Sequence, residues 1–136
     1  MLKNKVEKIF MGKEIKPGQP IRYVFWEEIV SKIAVLSKII PFNKNIYGLP
    51  RNGTILAGLL AHQREDLCLS MSYTKKTIII DDIHDSGETL REFPDNITAT
   101  LFWRCKENSK PTYWAESIRD EWLIFPWEKE FLLKPI

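Results

Sequence analysis

Thr77-Ile78-Ile79-Ile80-Asp81-Asp82-Ile83-His84-Asp85-Ser86-Gly87-Glu88-Thr89-Leu90 is the stretch whose reading decides the fold. A β-prone apolar run enters two adjacent carboxylates and then a loop of small, acidic and hydroxyl residues. A buried strand with this pattern places its carboxylates at its C-terminal end, where open α/β sheets bind ligands. Gly87 permits a tight turn in which successive backbone N–H groups converge on one anion. Ser86 and Thr89 add hydroxyl donors. The set suits a sugar phosphate held together with a divalent cation. Helix capping by Ser86 or Asp85 would account for the loop alone. It would not account for the pair Asp81-Asp82, whose mutual repulsion calls for a cation or hydroxyl donors.

Working outward, Asn45-Ile46-Tyr47 reads as a short strand leading into a second glycine-containing loop, Gly48-Leu49-Pro50-Arg51-Asn52-Gly53. The run Thr54 to His62 then reads as a largely buried helix. Its N-terminus offers free N–H groups and the positive end of a helix dipole, to which Arg51 can add bidentate contacts. Taken alone, this shorter motif is better explained by a plain strand-to-helix turn. Upstream, Trp26, Ile29, Val30, Ile33, Leu36 and Ile40 follow amphipathic helical spacing, stopped by Pro41. Leu67 to Ser72, Thr77 to Asp81 and Ile97 to Arg104 read as strands. A brief helix follows Glu88 to Phe93 before Pro94, and Thr112 to Trp127 holds one or two further strands. Residues 1–20 are polar, carry Pro17-Gly18-Gln19-Pro20 and read as an irregular arm.

Strand and helix alternate, which predicts an α/β fold with a mainly parallel sheet flanked by crossover helices. Both loops follow strands and precede helices, so they belong on one sheet edge, forming one cleft with two anion-binding loops.

The chain has 136 residues, suiting a single domain with one core. Its hydrophobic fraction of 44% and charged fraction of 28% are ordinary for a globular protein. A net charge of +2 makes no global case for nucleic acid, and the lysine clusters at Lys3 to Lys16 and Lys75-Lys76 read as solvated faces. The apolar runs fall far short of the ~20 residues that span a bilayer. Met1-Leu2-Lys3-Asn4-Lys5 lacks the apolar core of a secretory signal, so a cytoplasmic location is expected. Cys68 and Cys105 lie in strand-like apolar runs and read as buried thiols in a reducing compartment.

Ile78 to Thr89 resembles the phosphoribosyl pyrophosphate (PRPP) signature of type I phosphoribosyltransferases: apolar residues, two acids, two variable positions, then Asp-Thr/Ser-Gly-x-Thr. His84 is unusual at a position often apolar. Tyr23 to Glu28, Pro50 to Gly53, Thr100 to Arg104 and Glu121 to Glu128 are similar, in order, to segments of bacterial xanthine-guanine phosphoribosyltransferases. The resemblance implies a compact fold with a small C-terminal hood over about residues 104–136, and a homodimer or homotetramer. It implies an Mg2+-dependent purine salvage reaction of PRPP with a 6-oxopurine. Asp81 and Asp82 would hold the ribose hydroxyls, directly or through Mg2+. Asp85, Ser86, Gly87, Glu88 and Thr89 would enclose the 5-phosphate, with Asp85 near the reacting base. Arg51, Asn52 and Gly53 would bind pyrophosphate, and Arg104, Trp122 and Leu123 the base. Read simply as strand residues, Arg104 and Trp122 could equally be structural.

Two departures stand out. Active family members close a flexible loop that begins near a Ser-Tyr pair; here only Thr74-Lys75-Lys76 separate Ser72-Tyr73 from Thr77. Arg104 stands where the family has lysine, which changes donor geometry and reach. A non-catalytic PRPP- or nucleotide-binding regulatory module is therefore the alternative expectation. A metal phosphohydrolase using Asp81, Asp82 and Asp85 is a third, with no nucleophile or second metal cluster to support it.

Overall fold

The apolar run Ile78-Ile79-Ile80 lies at the centre of the molecule's main sheet, with all three side chains fully buried. The structure, a computed structural model, describes residues 9–10, 13–14, 18–105 and 109–133, with residues 9, 10, 13, 14, 89 and 90 described by backbone alone. Among these, the elements in chain order are β1 (Ile9–Phe10), β2 (Lys13–Glu14), β3 (Ile21–Tyr23), α1 (Trp26–Ile39), β4 (Asn45–Gly48), α2 (Asn52–Gln63), β5 (Cys68–Leu69), β6 (Ile78–His84), α3 (Glu88–Glu92), β7 (Thr98–Arg104), β8 (Tyr113–Ile118), β9 (Trp122–Ile124) and α4 (Lys129–Leu132). The chain divides into two compact units, Ile29–Arg119 and Met1–Glu28 with Asp120–Ile136. No described helix is long and apolar enough to cross a membrane.

In the larger unit, five strands pair in the order β5-β4-β6-β7-β8, every neighbour parallel. Central parallel strands are covered on both faces and so read as continuous apolar runs. Ile78 to Ile80 in β6 and Ala99, Leu101 and Phe102 in β7 are fully buried accordingly. β6 is longer than expected. It continues through both aspartates to His84, because Asp81, Ile83 and His84 find partners in Thr100, Phe102 and Trp103 along β7. The expected strand from Leu67 to Ser72 shrinks to the edge pair Cys68–Leu69. Cys68 is consequently exposed and Cys105 partly so, both as free thiols, which corrects their reading as buried.

The spacing expected for α1 holds on its inner face, where Ile29, Ile33 and Leu36 are buried, with Ile40 just beyond. Trp26 and Val30, read as part of that face, are about half exposed. The carbonyls at the helix end are gathered by Arg64, whose guanidinium donates to Ser37 O (2.9 Å), Ile40 O (2.6 Å) and Pro41 O (3.2 Å). Asp66 pairs with the same guanidinium.

The smaller unit is described by itself. β3 and β9 pair in parallel, with Ile21 opposite Trp122 and Tyr23 opposite Ile124. Ile124 is its buried centre, packed by Ile21, Tyr23, Trp122 and Phe131. Arg22 pairs with Glu28. Within the segment read as an irregular arm, β1 and β2 form a short antiparallel ladder.

Candidate functional site

β4 and β6 are parallel neighbours, so the loops that follow them emerge from the same sheet edge. Two glycines bring α2, the helix after the Gly48–Gly53 loop, hard against that edge. A Cβ on Gly48 would lie 2.3 Å from Gly53 O, and one on Gly53 would lie 2.4 Å from Ile80 O. No other residue fits either position without moving backbone. Gly53, expected in a pyrophosphate loop, is thus also the contact by which the first turn of α2 seats on β6. Leu49 N–H donates to Ile80 O at 2.9 Å and completes the junction. Asn52 opens α2 two residues before the expected start, and Arg51, its N-cap, is exposed with no side-chain cap bond. The Pro50–Arg51 peptide bond is cis.

Asn52, at the end of one loop, bonds directly to the strand that leads into the other. Its Nδ2 donates to Asp82 Oδ2 at 2.9 Å. Asp82 Oδ1 accepts the Ile83 N–H at 2.8 Å, and Asp81 Oδ1 accepts the Asp82 N–H at 2.9 Å. Backbone and amide donors thus soften the repulsion between adjacent carboxylates. Both aspartates remain partly exposed. An all-oxygen, partly exposed pair is a donor set that suits Mg2+, which keeps several waters and takes few protein ligands. Among the described residues, no group of three or more His, Cys, Asp and Glu could enclose a metal ion.

Beyond β6 the chain turns through Asp85, Ser86 and Gly87 into the short α3, with Gly87 buried at φ +86°. Only glycine adopts that backbone readily. Ser86 and Glu88 are exposed, and the Thr89 side chain lies outside the described residues. Asp85 is held from the neighbouring strand. Arg104, on β7 and only 8% exposed, donates from Nε to Asp85 Oδ1 at 2.8 Å and from Nη1 to Arg119 O at 2.8 Å. Asp85, expected in the 5-phosphate loop near the reacting base, and Arg104, expected at the base, are therefore one buried-to-surface ion pair.

His84 is 1% exposed. Its Nε2 lies 3.2 Å from Ser109 Oγ, while its Nδ1 is buried without a hydrogen-bond partner. Burial pushes the imidazole below its usual pKa, and the charge of Asp85 opposes the shift. Ser109 in turn accepts the Trp103 indole N–H on its carbonyl at 3.0 Å. Sequence reasoning missed Ser109, which sits 25 residues from His84 in a polar run with no distinguishing pattern.

The segment between Ser72 and Thr77 is a pinned turn. Thr77 N–H donates to Thr74 O at 3.1 Å, and Asn96 Nδ2 donates to Thr74 O (2.8 Å) and Thr77 O (2.7 Å). Tyr73 packs between Tyr47 and Phe93, with ring centroids 5.2 and 4.9 Å away. Trp122 and Leu123 belong to the smaller unit, where Trp122 is partly buried beside Ile124 and Leu123 is buried.

No protein-family model matches the chain. Among solved structures it is similar to a purine phosphoribosyltransferase from Pyrococcus horikoshii, with a TM-score of 0.68 at 22% identity over 85% of this chain and 96% of that one. A Helicobacter pylori xanthine-guanine-hypoxanthine phosphoribosyltransferase gives 0.62 at 17% identity over 82% and 96%. A hypothetical protein from Neisseria gonorrhoeae with bound ppGpp gives 0.61 at 14% identity over 83% and 92%. At these identities the likeness establishes the fold. The chain has the phosphoribosyltransferase architecture, a mainly parallel sheet flanked by helices.

Proposed function

We propose that this chain binds PRPP and transfers its phosphoribosyl group to a 6-oxopurine (guanine, xanthine or hypoxanthine), giving a nucleoside monophosphate and pyrophosphate. The observation that carries the reading is the pair of loops on one sheet edge, with Asn52 of one bonded to Asp82 of the strand that enters the other. The fold it shares with the Pyrococcus and Helicobacter enzymes supports it.

Displacing pyrophosphate from an anomeric carbon passes through an oxocarbenium-like state, so anions near the ribose and cationic groups near the leaving group lower the barrier. Asp81 and Asp82 hold the ribose hydroxyls and lend negative charge to the developing cation. Arg51 and the N–H groups at the start of α2 receive pyrophosphate. The backbone from Asp85 to Thr89, with Ser86, Gly87 and Glu88, encloses the 5-phosphate. Asp85, steadied by Arg104, faces the incoming base. By sequence resemblance Arg104, Trp122 and Leu123 belong to base recognition. Mg2+, held by Asp81 and Asp82 together with water and substrate oxygens, would offset the charge of the pyrophosphate.

The test is a panel of guanine, xanthine and hypoxanthine with PRPP and Mg2+, read by pyrophosphate release. Base-dependent release at a steady rate is expected, and none at micromolar protein sinks the transferase reading. The pinned turn at Thr74 to Thr77 favours one second reading, a nucleotide-binding module without turnover. The Neisseria protein, whose structure holds ppGpp, is a precedent for nucleotide binding on this fold. Calorimetric binding of PRPP or a guanine nucleotide without turnover would select it.

A further inference from the structure

We infer that His84 and Ser109 form a support that sets the shape of the Asp85–Thr89 loop, making both positioning residues for the ribose-phosphate end of the ligand. The inference rests on the assignment of that loop to a sugar phosphate and adds residues outside the signature. Ser109 Oγ stands 2.7 Å from where a Cβ on Gly87 would be, and His84 Nε2 stands 4.0 Å from the same point. The Ser109 hydroxyl thus fills the space a side chain at position 87 would need, and the turn at Gly87 with its positive φ packs directly against it. His84 backs the hydroxyl at 3.2 Å from the last residue of β6, so strand, support and loop are joined within a few ångströms. The Trp103 indole fixes the Ser109 backbone from β7.

The direction of the bond follows from the unpartnered Nδ1. If the Ser109 O–H donated to Nε2, the neutral ring would carry its proton on Nδ1 and leave a buried N–H unsatisfied. Buried N–H donors are left orphaned more rarely than buried acceptors, so the bare nitrogen is the one without a partner. Nε2–H therefore donates to Ser109 Oγ. The serine keeps its own hydrogen as a donor beside Gly87. An apolar residue at position 84 would fill the space without orienting the hydroxyl, which is why a histidine belongs there in this chain.

Ser109→Ala, His84→Phe and His84→Gln are compared with the wild type by calorimetry. The probes are ribose 5-phosphate and, separately, Mg2+-pyrophosphate, with melting temperatures recorded alongside. The expected result is an affinity for ribose 5-phosphate about tenfold weaker in Ser109→Ala and His84→Phe, the order of one lost charge-directed hydrogen bond. His84→Gln, whose amide can still donate to Ser109, recovers most of the loss. Pyrophosphate affinity stays within about twofold, since the second loop is untouched. Unchanged ribose 5-phosphate affinity in the two disruptive variants overturns the inference. So do parallel losses for both ligands together with melting temperature, which mark general damage. A wild-type chain that binds pyrophosphate but not ribose 5-phosphate overturns the assignment of the loop itself, and the support role with it.

Discussion

Asp82 shows how much a single side chain carries at this sheet edge. One oxygen accepts the next residue's N–H and the other accepts Asn52 Nδ2, so its carboxylate is oriented before any ligand arrives. An asparagine at 82 keeps a carbonyl oxygen for Asn52 while removing the charge. Asp81→Asn with Asp82→Asn should accordingly leave a folded protein, more stable if anything, since crowded like charges are removed from a binding edge. Its affinity for Mg2+-PRPP should fall by at least ~100-fold, the order expected when two charge-assisted contacts vanish. Titration calorimetry and thermal melts check both halves, and an unchanged PRPP affinity would refute the role given to the pair. The carboxylates, Gly87 and the hydroxyl residues were legible as a candidate site from their spacing alone. The pairing of Asp85 with Arg104, and Ser109 altogether, were not. These contacts join residues 19 and 25 positions apart, and nothing local in either segment announces its partner.

At the scale of elements, sequence pattern placed α1, α2 and α3 well, missed the short α4, and placed the ends of strands poorly. The buried face of α1 follows from periodicity, because one side of a helix must meet a core. β6 outruns its apolar run by several residues because β7 offers backbone partners that far along. β5 stops early because its ladder with β4 holds only Cys68 and Leu69, opposite Asn45 and Ile46. The end of α1 depends on Arg64, which binds three of the carbonyls at and beyond its last turn. Arg64→Ala should leave those acceptors without their cationic donor and lower unfolding stability by about 2 kcal/mol, the order of a charged hydrogen-bond set that is partly replaced by water. Urea denaturation measures it, and a loss under about 0.5 kcal/mol would mean solvent caps the helix as well as Arg64 does.

Across the whole molecule, one acidic contact should leave a mark on stability against pH. Asp66 lies well below the usual carboxylate range, chiefly through its hydrogen bond from Arg64 and then through the Asn43 N–H. The folded state thus binds fewer protons at this site than the unfolded chain, and stability rises with pH across the interval. The contribution is complete above about pH 4, the ordinary carboxylate value, and fades as pH falls toward the depressed folded value. Wild type should be more stable than Asp66→Asn in urea at pH 6, with the gap narrowing steadily as pH falls below about 4. A gap that stays constant with pH would show that the ion pair does not couple to folding.

Alternation of strand and helix was enough to predict a mainly parallel sheet, since parallel neighbours need crossovers and the chain supplies helical segments between them. The two loops and their common edge followed from the same alternation. Local chemistry determines these features because apolar runs, glycine and paired carboxylates act over a few residues. Strand order, the seating of α2 through Gly48 and Gly53, the grip of Arg104 on Asp85 and the His84–Ser109 support were decided only by tertiary structure. Each depends on which distant segments a close-packed core brings within hydrogen-bonding distance, and packing of that kind is a property of the folded chain rather than of any stretch within it.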